Sequence, residues 1–309
     1  MKVIRSLLEL PELNKPIITL GTYDGVHEGH RVILAKLIDK AKTSGMHSML
    51  ITFDPHPRIA LGLGSIALLS TLEEKIELLR QTGLDYLLII PFTSAFAEQQ
   101  AQDFIEEVII NALDASEIIL GYDHKFGKNR TGDVHLLREV LAKTNRTVTE
   151  IPAQEIDDVI VSSTKIRKAL QLGDIENANR LLGYPYSISG KVITGKQLGK
   201  TLGFPTANIS LNSAHKLIPM DGVYAVRCIV DGKPINGMMN IGKRPTLNQS
   251  LESVIEVHLF DFNADIYNED ITVEINAWIR QEQRFNGKDA LITQLKNDET
   301  NARLWFSTH

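Results

Sequence analysis

Gly21-Thr22-Tyr23-Asp24-Gly25-Val26-His27-Glu28-Gly29-His30 decides how the first half of this chain folds. Before it stands the apolar run Ile17-Ile18-Thr19-Leu20, which reads as a buried strand. After it, Ile33, Leu34, Leu37, Ile38 and Ala41 recur at helical spacing. The stretch is therefore a glycine-rich turn between a strand and a helix N-terminus. The amides of a first helical turn lack intrahelical acceptors, and the helix dipole favours an anion beside them. His27 and His30, three residues apart with Gly29 between, are both within reach of that anion.

Working outward, the alternation continues to about residue 182. Strand-like runs at 17–20, 49–53, 86–91 and 117–121 are separated by helical segments near 30–43, 72–82 and 101–113. This pattern predicts an α/β fold with a doubly wound parallel sheet. Three of the runs end in polar or glycine-bearing loops: at Gly21, at Phe53-Asp54-Pro55-His56-Pro57, and at Gly121-Tyr122-Asp123. Ligands bind at the carboxyl ends of parallel strands, so these loops are candidate site loops. A fourth loop, Ser162-Ser163-Thr164-Lys165-Ile166-Arg167, opens another helix.

Beyond Leu182 the breakers Gly183 and Pro185 mark a junction. Period-two stretches follow. Ile271, Val273, Ile275, Ala277 and Ile279 are expected on one face of a strand; Ile255, Val257 and Leu259 face one way, with Glu256, His258 and Phe260 opposite. Asp231-Gly232 reads as a two-residue hairpin turn, and Pro234 as a strand-start or edge residue. The expectation is a first domain at 1–182 and a second at 183–309, the latter an antiparallel β-barrel closed by a helix near 287–306.

Composition narrows the class. The chain has 309 residues, a net charge of −5 and one cysteine. No basic run offers a phosphate-neutralising patch, so a nucleic-acid partner is not expected. Cys228 reads as a buried packing residue, since a single cysteine forms no internal disulfide. Glu9 and Glu12 interrupt any export-signal core, and no uncharged run reaches the roughly 20 residues of a spanning helix. A cytoplasmic enzyme without a membrane partner is expected.

Adenylyl transfer suits the first domain, because positioning and charge stabilisation supply most of that catalysis. His27 and His30 are candidate donors to the phosphates, and Ser163, Thr164 and Arg167 add hydroxyls and a bidentate guanidinium. Alone, His-x-Gly-His also fits two surface histidines beside a turn; the Ser-Ser-Thr-Lys-Ile-Arg element favours the phosphate reading. Gly21–His30 with Ser162–Arg167 resembles the HxGH nucleotidyltransferase superfamily. Thr52-Phe53-Asp54-Pro55-His56-Pro57-Arg58 and Gly121–Asp133 look like the FMN adenylyltransferase half of bacterial bifunctional FAD synthetases. In the second half, Gly195–Asn208, with its Pro205-Thr206-Ala207-Asn208 core, resembles the riboflavin kinase signature. So do Asp221-Gly222-Val223-Tyr224, Asn240–Thr246 and the strand bearing Glu256.

That resemblance implies roles. His27 and His30 stabilise the ATP phosphates and the departing pyrophosphate; Gly21, Tyr23, Asp123, Ser163, Thr164 and Arg167 belong to the ATP site. Asp24 has two readings, a nucleotide-site group or a cap of its own turn. Phe53, Asp54 and His56 lie near flavin. In the second domain Thr206 and Asn208 hold Mg²⁺ and the ATP phosphates, with Gly195, Lys200 and Gly203 in the same ATP-binding segment. Glu256 is the general base on the ribityl hydroxyl; without Thr206 and Asn208 it would read as a solvated strand carboxylate. Arg280, Glu282 and Phe285 match positions beside nucleotide or flavin, and equally suit a core-and-surface role. The implied substrates are riboflavin, FMN and ATP, and the implied products FMN and FAD.

Tyr23, His124 and Asn268 depart from the family's usual phenylalanine, aromatic residue and glycine. Gly195-Lys196-Gln197-Leu198-Gly199-Lys200-Thr201 imitates a P-loop but is one residue short between glycines and sits among strand signals. Rival readings are an adenylyltransferase for another phosphate acceptor, which leaves the second domain unexplained, and a flavin-binding regulator with decayed catalysis.

Overall fold

The computed structural model describes residues 1–64, 66–122, 124–152, 161–195, 198–245 and 251–309, with backbone alone at 198, 200, 244, 245, 251 and 252. Contacts divide the chain into two compact units, Met1–Ser163 and Thr164–His309.

The first unit is built on six strands: β1 (Lys2–Ile4), β2 (Ile17–Leu20), β3 (Ser48–Asp54), β4 (Tyr86–Pro91), β5 (Glu117–Gly121) and β6 (Thr147–Ile151). They lie in the order β1-β4-β3-β2-β5-β6, every pair parallel. Alternate residues feed opposite faces of this sheet. Ile17, Leu50, Leu87 and Ile89 pack with Leu34, Leu37, Ile76 and Leu79 from the helices Glu28–Ser44 and Leu72–Arg80. Ile18, Leu20, Met49, Ile51, Leu88 and Ile90 pack on the other face with Phe104, Val108 and Leu137. Both faces are covered, which explains why the strands read as continuous apolar runs. The helix expected near 101–113 begins as α over Ala101–Phe104 and continues as a π-helix over Ile105–Ala112. From β2 the chain proceeds outward through β3 and β4; β5 lies on the other side of β2. The strand order reverses between β2 and β5, the place where such sheets hold ligands.

The second unit carries β7 (Tyr186–Ile193), β8 (Ala207–Leu211), β9 (Gly222–Val230), β10 (Lys233–Pro245), β11 (Leu251–Leu259) and β12 (Asp270–Gln281). These form a closed barrel in the order β10-β11-β8-β7-β12-β9, all neighbours antiparallel. Asp231 and Gly232, with φ of 48° and 73°, make the expected tight turn between β9 and β10. The helix Lys288–Thr308 lays Ala302, Leu295, Trp305 and Phe306 against Phe204, Ala225, Met238, Phe260 and Ala277.

Two features differ from the sequence reading. The helices Ser163–Gln171 and Ile175–Leu182 fall almost wholly within the second unit, so the contact boundary precedes the Gly183–Pro185 junction. Asn179 explains this, donating to the Ile275 carbonyl at 2.9 Å and accepting from the Tyr186 amide at 2.7 Å. In β12, Ile275 pairs with Val226 but Ala277 pairs with Ala225, so Asn276 is an extra residue. That bulge reverses which side the following residues face. Ala277 therefore packs with the terminal helix, not on the face of Ile271, Val273 and Ile275; Ile279, the extra residue at a second shift between Trp278 and Arg280, packs there too.

Candidate active sites

The first site is assembled at the end of β2. Gly21 ends the strand, and a Cβ there would lie 3.1 Å from the Tyr23 ring and 3.7 Å from His124. Tyr23, Gly25 and Val26 all take positive φ (46°, 81° and 38°), so the chain coils back tightly before the helix. The Tyr23 hydroxyl meets Thr19 Oγ1 at 3.0 Å, and burial raises its pKa well above the ordinary phenol value. His27 is the N-cap of the helix Glu28–Ser44 but makes no side-chain cap hydrogen bond, which leaves first-turn amides facing the turn. Its ring, 6% exposed, stacks on His30 with centroids 3.6 Å apart and planes 16° apart. His30 also lies 4.5 Å from the Tyr23 ring. Burial, then repulsion from His27 and Lys75, holds the His30 pKa well below its ordinary value. An anion beside His30 would raise that pKa again.

Asp24 ties this turn down. Its carboxylate accepts from the amides of Leu69 (2.9 Å) and Ser70 (3.1 Å), while the Gly25 amide donates to Ser70 Oγ at 3.0 Å. The backbone these bonds cap belongs to a segment some 45 residues away. Thr71, next in line, caps the helix Leu72–Arg80 in a reciprocal box with Glu74. That helix carries Lys75, a buried lysine in electrostatic contact with Asp24 and Asp54. Sequence reading missed Lys75, because its helical neighbours made it look like one more solvated charge.

Ser163 Oγ donates to the Asp24 carbonyl at 3.3 Å. It starts the helix Ser163–Gln171, on which Thr164 is exposed and Arg167 half-buried. Phe53 ends β3 within an aromatic cluster, its ring 5.7 Å from Phe92 and 5.8 Å from Phe96. The Asp54 carbonyl accepts from the Phe92 amide. His56 Nδ1 accepts from the Arg58 amide and so caps the turn Pro57–Ala60. Asp123 lies outside the described residues.

The second site sits where β7, β8 and β11 meet. Asn208 pairs with both Ile193 and Glu256, so the register sets Glu256 directly beside Asn208. Asn208 is 7% exposed, whereas Glu256 alternates with the buried Ile255 and Val257 and remains half-exposed. Gly195 and Gly199 bring backbone close to these groups. A Cβ on Gly195 would lie 2.6 Å from the Asn208 side-chain carbon, and one on Gly199 would lie 3.1 Å from Thr206 Oγ1. Gly203, at φ 84°, turns the chain between the helix Leu198–Thr201 and Phe204. The Lys200 side chain and Thr246 lie outside what is described.

Arg280, Glu282 and Phe285 have identifiable partners. Arg280 donates from Nε and Nη2 to the two oxygens of Asp298, at 2.8 and 2.7 Å, and its guanidinium lies 5.6 Å from the Phe285 ring. The Glu282 carboxylate lies against Gly242, where a Cβ would come 2.9 Å from its carboxyl carbon. Cys228 is buried, which pushes its thiol up to about 12, so it is inert packing.

Comparison with known proteins covers both halves. The FAD synthetase family model matches residues 10–165 and the riboflavin kinase model residues 182–306. Bifunctional riboflavin kinase/FMN adenylyltransferases from Listeria monocytogenes and Escherichia coli K12 are each 37% identical. The alignments cover 97% of this chain and 95% of the Listeria relative, and 99% and 98% for Escherichia coli. A Streptococcus pneumoniae crystal structure, described as a macrolide-efflux protein, superposes with a TM-score of 0.87 at 31% identity, covering 98% of both chains. In this chain no helix among the described residues is long and apolar enough to cross a membrane. On these matches, the chain belongs to the bifunctional riboflavin kinase/FMN adenylyltransferase family.

Proposed function

We propose that the two reactions of this family are divided between the two halves of the chain, with the residues named above in distinct roles. The enzyme phosphorylates riboflavin to FMN and adenylylates FMN to FAD. In the kinase half, Glu256 takes the proton of the ribityl terminal hydroxyl as its oxygen attacks the γ-phosphorus of ATP; the bond to the β-phosphate oxygen breaks and ADP leaves. In the adenylyltransferase half, a phosphate oxygen of FMN attacks the α-phosphorus of a second ATP, and pyrophosphate departs toward His27 and His30. Thr164 and Arg167 supply further donors to the phosphates. Phe53 offers a ring for flavin, and Asp24 and Ser163 hold the turn in place. Residues 1–182 and 183–309 remain our working assignment of the two activities.

The oxygens of Thr206 and Asn208, with the Glu256 carboxylate opposite, form a hard donor set that suits Mg²⁺. The glycines at 195 and 199 leave beside them a cradle that a Cβ would fill. The ion, held by Thr206 and Asn208, would neutralise charge on the transferring phosphate. The single observation that carries the two-step reading is the presence in one chain of the stacked His27/His30 pair and the Asn208–Glu256 register.

The test is a chromatographic time course with riboflavin, ATP and Mg²⁺. FMN is expected first, giving way to FAD. FMN without FAD would sink the roles given to His27 and His30, and neither product would sink the reading as a whole.

A further inference from the structure

Thr206 stands one residue before β8, just past Ala207 and Val257, the last pair of the β8–β11 ladder. That ladder therefore does not itself fix the threonine. Continued by one step, its register sets His258 opposite Thr206, on the same side of β11 as Glu256. Here a side chain takes over from the backbone. His258 Nδ1 lies 2.7 Å from the carbonyl oxygen of Pro205, the residue next to Thr206. A carbonyl only accepts, so the contact assigns a ring proton to Nδ1. Proline has no N–H, and its carbonyl is the one backbone polar group by which it can be held.

The neighbouring residue is tied as well. The Phe204 amide donates to the Gly199 carbonyl at 2.9 Å, and the Phe204 ring is buried in the cluster that includes Ala225, Met238 and Phe260. The His258 imidazole stands edge-on to the rings of Phe204 and Phe260, with centroids 5.4 and 5.9 Å away. Those rings aim the imidazole at its acceptor. A Cβ at Gly199 would collide with the Phe204 carbonyl oxygen and come within 3.1 Å of Thr206 Oγ1. The glycine-bearing segment and Thr206 thus share a crowded spot in which a small displacement of Pro205 carries the threonine with it.

We infer that His258 is a positioning residue for riboflavin phosphorylation: through Pro205 it holds the Thr206 hydroxyl where Thr206 and Asn208 grip the ATP phosphates. This rests on assigning phosphorylation to the second site. In this role the imidazole touches no substrate and moves no proton. Pro205 is exposed, so water can satisfy its carbonyl when the histidine is replaced, and the fold need not suffer.

The experiment compares the full chain with His258→Phe and His258→Asn. The phenylalanine keeps a ring against Phe204 and Phe260 but has no donor; the asparagine amide carries a donor close to the Nδ1 position. His258→Phe should lose about 100-fold in kcat/KM for riboflavin phosphorylation, while the same molecules convert supplied FMN to FAD at the parent rate. His258→Asn should recover most of the loss. Added to Thr206→Ala, His258→Phe should cost less than about threefold more, because both act through one hydroxyl. Independently of turnover, the backbone amides of the peptide 204–208 should exchange hydrogen faster in His258→Phe than in the parent or His258→Asn. Phosphorylation by His258→Phe within about threefold of the parent, a larger added loss on Thr206→Ala, no recovery in His258→Asn, or unchanged exchange would each overturn the inference. If His258→Phe does not fold, nitrogen NMR of the parent decides: the neutral His258 ring should carry its proton on Nδ1, and a proton on Nε2 instead overturns the proposal. A parent chain that makes no FMN would defeat the underlying assignment of phosphorylation, not the role of His258.

Discussion

Arg280 and Asp298 form a two-toothed ion pair between the last strand of the barrel and the terminal helix, with Asp298 wholly buried. Gln294, one turn earlier on the helix, donates to the same carboxylate at 2.8 Å. The carboxylate thus has three donors where apolar neighbours surround it. Removing it strands a largely shielded guanidinium, a change that typically costs about 3–5 kcal/mol. Asp298→Ala should lower the unfolding midpoint of the second unit, read by calorimetry. Arg280→Ala in the Asp298→Ala background should cost little more, since the two act as one pair.

Glu256 and Asn208 face each other across β11 and β8. Glu256→Gln keeps the shape but removes the proton acceptor, and should lower riboflavin phosphorylation by about 10²–10⁴-fold. Conversion of supplied FMN to FAD should persist. Loss of both activities in a folded protein would contradict the division of labour.

Gly195 is where a single methyl group reaches the kinase site. Gly195→Ala places that methyl against the Asn208 side chain and should cut riboflavin phosphorylation about 100-fold through misplacement alone. The adenylylation rate serves as the internal comparison. Unchanged phosphorylation would mean that Asn208 has room to turn aside without consequence.

His30 makes stability pH-dependent in a definite direction. Its folded-state pKa lies well below the ordinary 6.5, so below about pH 6.5 the unfolded chain takes up a proton that the native state refuses. The contribution is complete above that value and shrinks as pH falls. Thermal midpoints measured from pH 7.5 to 5 should drop for the parent and drop less for His30→Asn. Saturating ATP should flatten the same curve, because the phosphates restore the favourable charge on the imidazole.

Much of this was legible from residue order. The four strands at 17–20, 48–54, 86–91 and 117–121 and the Asp231-Gly232 turn announce themselves because burial on both faces, or φ above zero, leaves few residues admissible. β1 is too short to show a period, and β6 mixes polar residues at the sheet's edge, so neither was visible. The bulge at Asn276 was hidden for a different reason: an apolar alternation continues through it, while the partner strand alone reveals the extra residue. Motif residues such as His27, Thr206 and Glu256 could be named, but the partners that position them could not. Asp24 serves amides some 45 positions away, and Arg280 reaches a carboxylate on another element.

The bulge at Asn276 also constrains how this gene can drift. Before it, β12 supplies the barrel's own lining; after it, the same strand supplies the seat of the terminal helix and the arginine that anchors it. Deleting one codon between the two stretches would exchange lining for seat and leave both wrongly dressed. The length of β12 is consequently inherited as a whole, whereas in the connection before it only the exposed residues 263–265 lie apart from the core residues Phe260 and Ile266 and from the backbone bonds of Asn268 and Glu269. Among descendants of this chain, gaps should collect in that connection and spare the strand.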